Sequence, residues 1–527
     1  MKRFVYILIA FLPAFSCSKL NQKPQDFISP DDFYSSIDEA ESALLGVYGT
    51  LSETALYANY MQGRMGLSAD LGYDSYTIDW NTVAYNTITS SDAKITSYWK
   101  ALYKGIGRAN MLLEKIKYLD PGDERDRIEG EAEFLRAYYY FMLVLRFGDV
   151  PLVLEPVNST DASSVQIHKT PKKDVYNRIV TDMLDAADKV KTADEVESGG
   201  RVNQSAVYGI LARVGLNMAG YPCLEEDMYH NVKLWAKWVI DCDMHSLNPS
   251  YPQIFINYMQ DIYDIKESIF EVEFWGNNEN EYTTTAGKVG VLNGIRFINE
   301  DLAPTVGFSV GTIRTTSSYF EMFEDEDLRR DWTIAPYYLN SNTGTKVNWS
   351  GSQIWNRFCG KYRREYELTD VKSLNYNSTN FPILRYADVL LMYCEAVACD
   401  PSSTSEEIAE SFGYLNQIRR RGFGMDMDTP SDVADLAVQG REELLSAVKM
   451  ERPRELGYEL LRKDDLVRWG EFYENMKQVA LKVPDSTSSI YVAARTAFTS
   501  VSERDVLWPI PSYELGLNRN LTQNEGW

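Results

Sequence analysis

What most restricts this chain is a series of apolar stripes at helical spacing, repeated along most of its length. Ser36-Ile-Asp-Glu39 has the form of a capping box, and Ala40, Leu44, Val47 and Leu51 then follow at spacings of 4, 3 and 4. Just upstream, Ser29-Pro30-Asp31-Asp32 offers an N-cap, a proline at the first helical position and acids in the first turn. Ile128, Ala132, Leu135, Tyr139 and Met142 mark a second helix, which is predicted to end at Gly148 with Pro151 just beyond. Val207, Leu211, Val214 and Met218 form a third stripe. Ala387, Leu391, Cys394 and Ala398 form another, followed by Ile408, Phe412 and Leu415. Each stripe reads as core packing.

Trp99-x2-Leu102 and Ala137-x3-Phe141 are similar to pieces of the tetratricopeptide helical hairpin, but no strict 34-residue period is visible. The expected fold is therefore mainly α, a degenerate tetratricopeptide-like scaffold of helical hairpins. Residues 251–380 depart from it. Asn, Gly, Thr and Tyr rise there, the stripes fade, and Ser268-Ile-Phe-Glu-Val-Glu-Phe274 alternates like a short strand. This stretch reads as an irregular, loop-rich insert, and loops on a rigid scaffold are where binding groups concentrate.

The N-terminus reads as an export signal. Met1-Lys2-Arg3 is basic, Phe4–Phe15 is an apolar run too short to span a bilayer, and Ser16 precedes Cys17. A cysteine in that position suggests lipidation of Cys17 after removal of residues 1–16, although Ala14-Phe15-Ser16 fits the usual lipobox imperfectly. Loss of Lys2 and Arg3 would deepen the formal charge of −23 by two. So acidic a chain is a poor partner for nucleic acid. Five cysteines besides Cys17, scattered over 527 residues, do not make a disulfide framework.

Catalytic patterns in the chain are few and incomplete. Gly307-Phe-Ser309-Val-Gly311 fits a nucleophile elbow, but His168, His230 and His245 all precede the serine, and that fold needs its histidine after it. Ser91-Asp-Ala-Lys94 stands without its companion motifs. No metal, phosphate-loop or dinucleotide signature is present, so no cofactor is expected. Paired carboxylates need no local motif, and a glycosidase stays open on that ground.

Four ordered motifs resemble the SusD/RagB family of nutrient-binding outer-membrane lipoproteins. They are Glu131-Ala-Glu-Phe-Leu-Arg-Ala-Tyr138 running to Phe147-Gly-Asp-Val-Pro-Leu152; Phe381-Pro-Ile-Leu-Arg385 to Glu395-Ala; Glu451-Arg452 to Glu455-Leu456 with Asp465-Leu-Val-Arg-Trp469; and Trp508-Pro-Ile-Pro511 with the final Gln523-Asn-Glu-Gly-Trp527. Their charged members, Glu131, Arg136, Arg385, Glu395, Glu451, Arg452 and Glu455, are spaced as buried, paired scaffold charges. Pro453 departs from the family pattern, and a break or kink is expected near it.

The resemblance implies one domain over 17–527, with helical scaffold at 17–250 and 381–527 and the ligand face in 251–380. It implies a surface-exposed protein, lipid-anchored to the outer membrane, that captures glycan for a SusC-like TonB-dependent transporter without catalysis. A peptide-binding relative and, at a greater remove, a glycoside hydrolase are the alternatives. The ligand would meet an N-terminal loop and the insert. Asp70, Tyr73, Asp74, Tyr76 and Trp80 are candidates in the first, and Trp275, Tyr282 and Trp349 in the second. Aromatic rings suit the C–H faces of sugars, and acids reach the hydroxyls.

Overall fold

The computed structural model describes residues 34–63, 69–75, 82–157, 161, 166–196, 198–276 and 286–527. Cys17, the Ser29–Asp32 cap, Tyr76, Trp80 and Tyr282 lie outside the described residues.

Helices dominate. The longer ones are α1 (Ile37–Tyr48), α2 (Ala93–Lys115), α3 (Asp123–Phe147), α4 (Lys172–Ala187), α5 (Gln204–Ala219), α6 (Met228–Asp241) and α7 (Tyr251–Gln260). After the insert come α8 (Tyr386–Cys399), α9 (Ser405–Gly422), α10 (Arg441–Leu456), α11 (Arg462–Arg468), α12 (Phe472–Leu481) and α13 (Ser489–Thr499). The stripes are the buried faces: Ala40, Leu44 and Val47 on α1, and Ile128 through Phe147 on α3. The cap of α1 differs in one detail. Ser36 accepts from the Glu39 backbone, and the Glu39 carboxylate accepts most closely from the N–H of Ser35, at 2.7 Å, one residue before the expected Ser36.

From α2 to α6 each helix packs on the next in the chain. The α2–α3 pair is close because Gly105 has no side chain: a Cβ there would lie 2.6 Å from the Tyr139 ring. At the end of α3, Gly148 takes φ 67°, a conformation glycine reaches without steric cost. Helix α6 then packs not on α7 but on α8, so the stack continues as though the residues between were absent.

Those residues leave and re-enter at one place. Strand β2 (Ser268–Val272) pairs antiparallel with β6 (Phe381–Arg385), joining Ser268 to Arg385 and Val272 to Phe381. The expected alternation of β2 is not seen: all five of its residues are buried, because the pair is covered on both faces. Within the insert, β3 (Ile313–Thr315) pairs with β1 (Gly72–Asp74) from the N-terminal part, and β4 (Tyr337–Leu339) forms a hairpin with β5 (Lys346–Asn348).

Buried charge holds the neck. Arg385 meets Glu267 at 2.7 Å, Glu455 at 3.0 Å and Glu459 at 2.8 Å. Arg421 reaches Glu267 and Glu455, and Arg329 reaches Asp327, Glu451 and Glu455. Burial alone would raise the Glu455 carboxyl, but Arg421, Arg385 and Arg329 overcome it and hold the group well below the usual range. The other family charges are paired too: Glu131 with Arg127, Arg136 with Asp182, Glu395 with Arg468, and Arg452 with Asp388 and Asp465. Helix α10 carries Pro453 inside it and continues to Leu456, its flanking Arg452 and Glu455 locked in these pairs. Here tertiary packing outweighs the proline's local preference.

No helix among the described residues is long and apolar enough to cross a membrane.

Candidate functional site

The β1–β3 ladder joins the N-terminal segment to the insert. Gly72 pairs with Thr315 and Asp74 with Ile313. Arg314 fastens the same junction, donating to Ser75 Oγ at 2.7 Å and to the Asn356 carbonyl. Gly72 is required there, since a Cβ would lie 2.7 Å from the Arg314 carbonyl oxygen. A satellite core of Tyr73, Tyr85 and Trp355 with Phe472, Met476 and Phe498 ties this junction to α12 and α13.

The candidate residues divide sharply. Asp70 is buried and accepts from Arg462 through both oxygens, at 2.8 and 2.7 Å. Tyr73 is fully buried, its hydroxyl donating to the Trp355 carbonyl at 2.8 Å. Asp74 is also fully buried, and its carbonyl accepts from the Tyr85 hydroxyl. These three brace the loop from inside and present no surface to a ligand, because a chain that crosses between two cores must bury the side chains on both sides. Trp332 and Trp355 are core as well.

Trp275 is the opposite case. It follows β2 at the open end of the neck and is 63 % exposed. Of the described candidates it is the one whose ring is most open to solvent. Phe274, its neighbour, anchors the segment: its N–H donates to Asn380 Oδ1 at 2.9 Å, and Gly287 lies flat on its ring. Nearby on β2, Glu271 is buried among Ser268 and Asn380, and burial pushes its carboxyl up to about 7.

Trp349 is half-buried at the end of the β4–β5 hairpin. Its ring lies 4.5 Å from that of Tyr338, with Phe358 behind it and Arg314 over the Phe358 ring. Its indole N–H is enclosed without a hydrogen-bond acceptor. Tyr338 was not among the sequence candidates, and only its place opposite Val347 in the hairpin brings it beside Trp349.

Among the described residues, no three His, Cys, Asp or Glu side chains are grouped to hold a metal ion. Ser309 of the elbow-like pattern is buried, its Oγ accepting from the Gly311 N–H.

Comparison with known proteins bears on this arrangement. Residues 303–527 match the model of the SusD family, and residues 31–216 match a model described as starch-binding associating with outer membrane. A SusD-like protein P2 of Formosa agariphila is 22 % identical over 537 residues, covering 99 % of each chain. A crystal structure of a SusD homolog from Bacteroides thetaiotaomicron superposes with a TM-score of 0.85 at 26 % identity, covering 94 % of this chain and 98 % of that one. A laminarin binding SusD-like protein superposes with a TM-score of 0.70 at 23 % identity, over 93 % of this chain and 99 % of that one.

Proposed function

The chain belongs to the SusD/RagB family, and from that premise we propose that it is a glycan-binding protein of the outer membrane that captures its ligand without transforming it. The observation that carries this reading is the exposed ring of Trp275 at the mouth of an insert rigidly fixed to the helical stack. A pre-set aromatic surface can take the C–H face of a sugar, and one such contact contributes on the order of 0.5–1.5 kcal/mol. Single contacts of that size give weak binding, which suits a protein that must release what it captures.

The laminarin-binding relative supports sugar as the ligand class. The rest of the assignment follows the family: Cys17 as the acylated anchor on the cell surface, and a SusC-like TonB-dependent transporter as the partner that receives the glycan. Among the unmatched sequence candidates, Tyr76, Trp80 and Tyr282 fall in segments that neighbour Ser75 and Trp275 in the chain and join this proposal as ligand contacts.

Isothermal titration of the purified protein against a polysaccharide and oligosaccharide panel tests the reading. Saturable glycan binding that weakens in Trp275→Ala supports it. Binding to peptides alone rejects the glycan assignment, and release of reducing sugar from a bound polysaccharide rejects the non-catalytic one.

A further inference from the structure

The underside of the β4–β5 hairpin covers a small cavity of about 190 Å³. Tyr337, Lys346, Arg363, Arg364 and Glu365 are among its polar lining, and apolar residues such as Leu339 make up part of the rest. Four of those side chains are ionic, three of them cationic, in a protein whose formal charge is −23. The excess does not vanish when pairs are assigned. Arg364 is closed off by Glu367 at 2.7 and 2.9 Å. Lys346 pairs with Glu365 at 2.9 Å, and Tyr337 donates to the same carboxylate at 2.7 Å.

Arg363 is left over. It is 8 % exposed, and its guanidinium lies over the Trp332 ring at 4.2 Å and near the Tyr337 ring at 5.4 Å. Its Nε and Nη2 donate only to neutral carbonyls, of Gly360 at 2.9 Å and of Asp331 and Trp332 at 2.7 and 3.1 Å. Among the described residues no carboxylate pairs with it and no acceptor meets its Nη1, which is not among the enclosed, unpartnered atoms and so stays open to whatever enters the cavity. A buried arginine is normally matched by an acid, because an unneutralised charge in a low-dielectric site is costly. Here the fork is oriented by three carbonyls and two rings, and its charge stays available. Arg is also the side chain best shaped to hold a carboxylate or sulfate by two parallel bonds.

Resting on the glycan-binding reading, the geometry points to an acidic glycan as the ligand, with this cavity receiving its carboxylate or sulfate group on Arg363. The volume admits one acidic substituent and part of its ring, not a chain, so the cavity would read a single substituent of the ligand. Lys346 at the rim adds attraction. Glu365, exposed beside it, opposes an incoming anion and sets the pocket's selectivity.

The test uses matched pairs: polygalacturonate against its methyl ester, and carrageenan against agarose, with D-galacturonate and inorganic sulfate as small probes. Titrations are run on the wild type, Arg363→Gln, Arg363→Lys and Glu365→Gln. The expected result is at least tenfold tighter binding of an acidic member than of its neutral counterpart. That preference falls to within twofold in Arg363→Gln, is partly kept in Arg363→Lys, and grows severalfold in Glu365→Gln. Glu365 is on the surface, so that variant reads the pocket even if Arg363→Gln folds poorly. Equal affinity for neutral and acidic partners, or an acidic preference that survives Arg363→Gln, overturns the proposal. If the small anions bind through Arg363 but no polysaccharide does, the glycan reading falls and the anion site stands. If polysaccharide binds while neither anion does, the reverse holds.

Discussion

Arg385 and Arg363 sit 22 residues apart in the chain and look alike at first. Both are buried, and both lie over an aromatic ring, Phe255 for the first and Trp332 for the second. Their partners separate them. Arg385 at the neck is met by three carboxylates; Arg363 under the hairpin is met by carbonyls alone. A charge that is positioned and neutralised belongs to the scaffold. A charge that is positioned and left unneutralised is ready for something that arrives later.

The sharpest break of that contrast is Arg385→Met. It removes one cation from a cluster in which Glu267, Glu455 and Glu459 keep only Arg421, Arg329 and Lys361, and a loss of about 3 kcal/mol, or failure to fold, is expected in chemical denaturation. A loss below about 1 kcal/mol would show that the neck does not depend on its ions.

Glu271, on the same neck but without a cation, sharpens the contrast by sign. Its ordinary pKa is 4.5 and burial raises it to about 7 in the fold. Between those values the folded state keeps a proton that the unfolded state has released, so its contribution is full below 4.5 and is lost as the pH rises through 7. Glu271→Gln, neutral throughout, is expected to remove that slope, so that its stability relative to wild type is about 3 kcal/mol more favourable at pH 8 than at pH 4. Parallel pH profiles for variant and wild type would contradict this.

Arg363→Met leaves no buried acid behind. Its cost, from two ring contacts and three carbonyl bonds, is expected at about 1–2 kcal/mol, well short of that of Arg385→Met under the same denaturant titration. Equal costs would erase the distinction. Smallest of all, Trp275→Ala should leave the unfolding midpoint within about 0.5 kcal/mol of wild type while weakening glycan binding roughly fivefold. A large stability loss there would make Trp275 structural.

The helical stack was legible because its information is local. Apolar residues three and four apart announce a buried face whatever that face meets, and the seven charges singled out in the first three motifs proved to be the paired interior they suggested. Glu455 and Arg385 are an example. What misled was information that only the folded chain supplies. Asp70 has the composition of a sugar contact, but its partner Arg462 is 392 residues away. Tyr73 faces Trp355 across a similar gap. Pro453 predicts a break or kink near it, and the helix runs on for three residues before ending at Leu456, with Arg452 and Glu455 in ion pairs on either side. Arg363 lies in the run Lys361-Tyr-Arg-Arg-Glu-Tyr366, none of whose charges belongs to a motif singled out in the sequence. Lys361 is in fact fully buried against Glu459 at 2.5 Å, and only the fold shows which of these cations is answered and which is not.

The two-stranded neck carries one more implication. Because β2 and β6 bring both ends of the excursion to the same doorway, helices α6 and α8 meet as neighbours however long or varied the chain between them becomes. Closing a longer loop adds little entropic cost, about 0.6 kcal/mol per doubling of length. Descent with modification can therefore rewrite the excursion while the stack is inherited unchanged, much as an instrument keeps its body when its lens is exchanged. Proteins of this architecture should accordingly diverge fastest between β2 and β6, and a transplanted excursion should carry its taste for ligand with it.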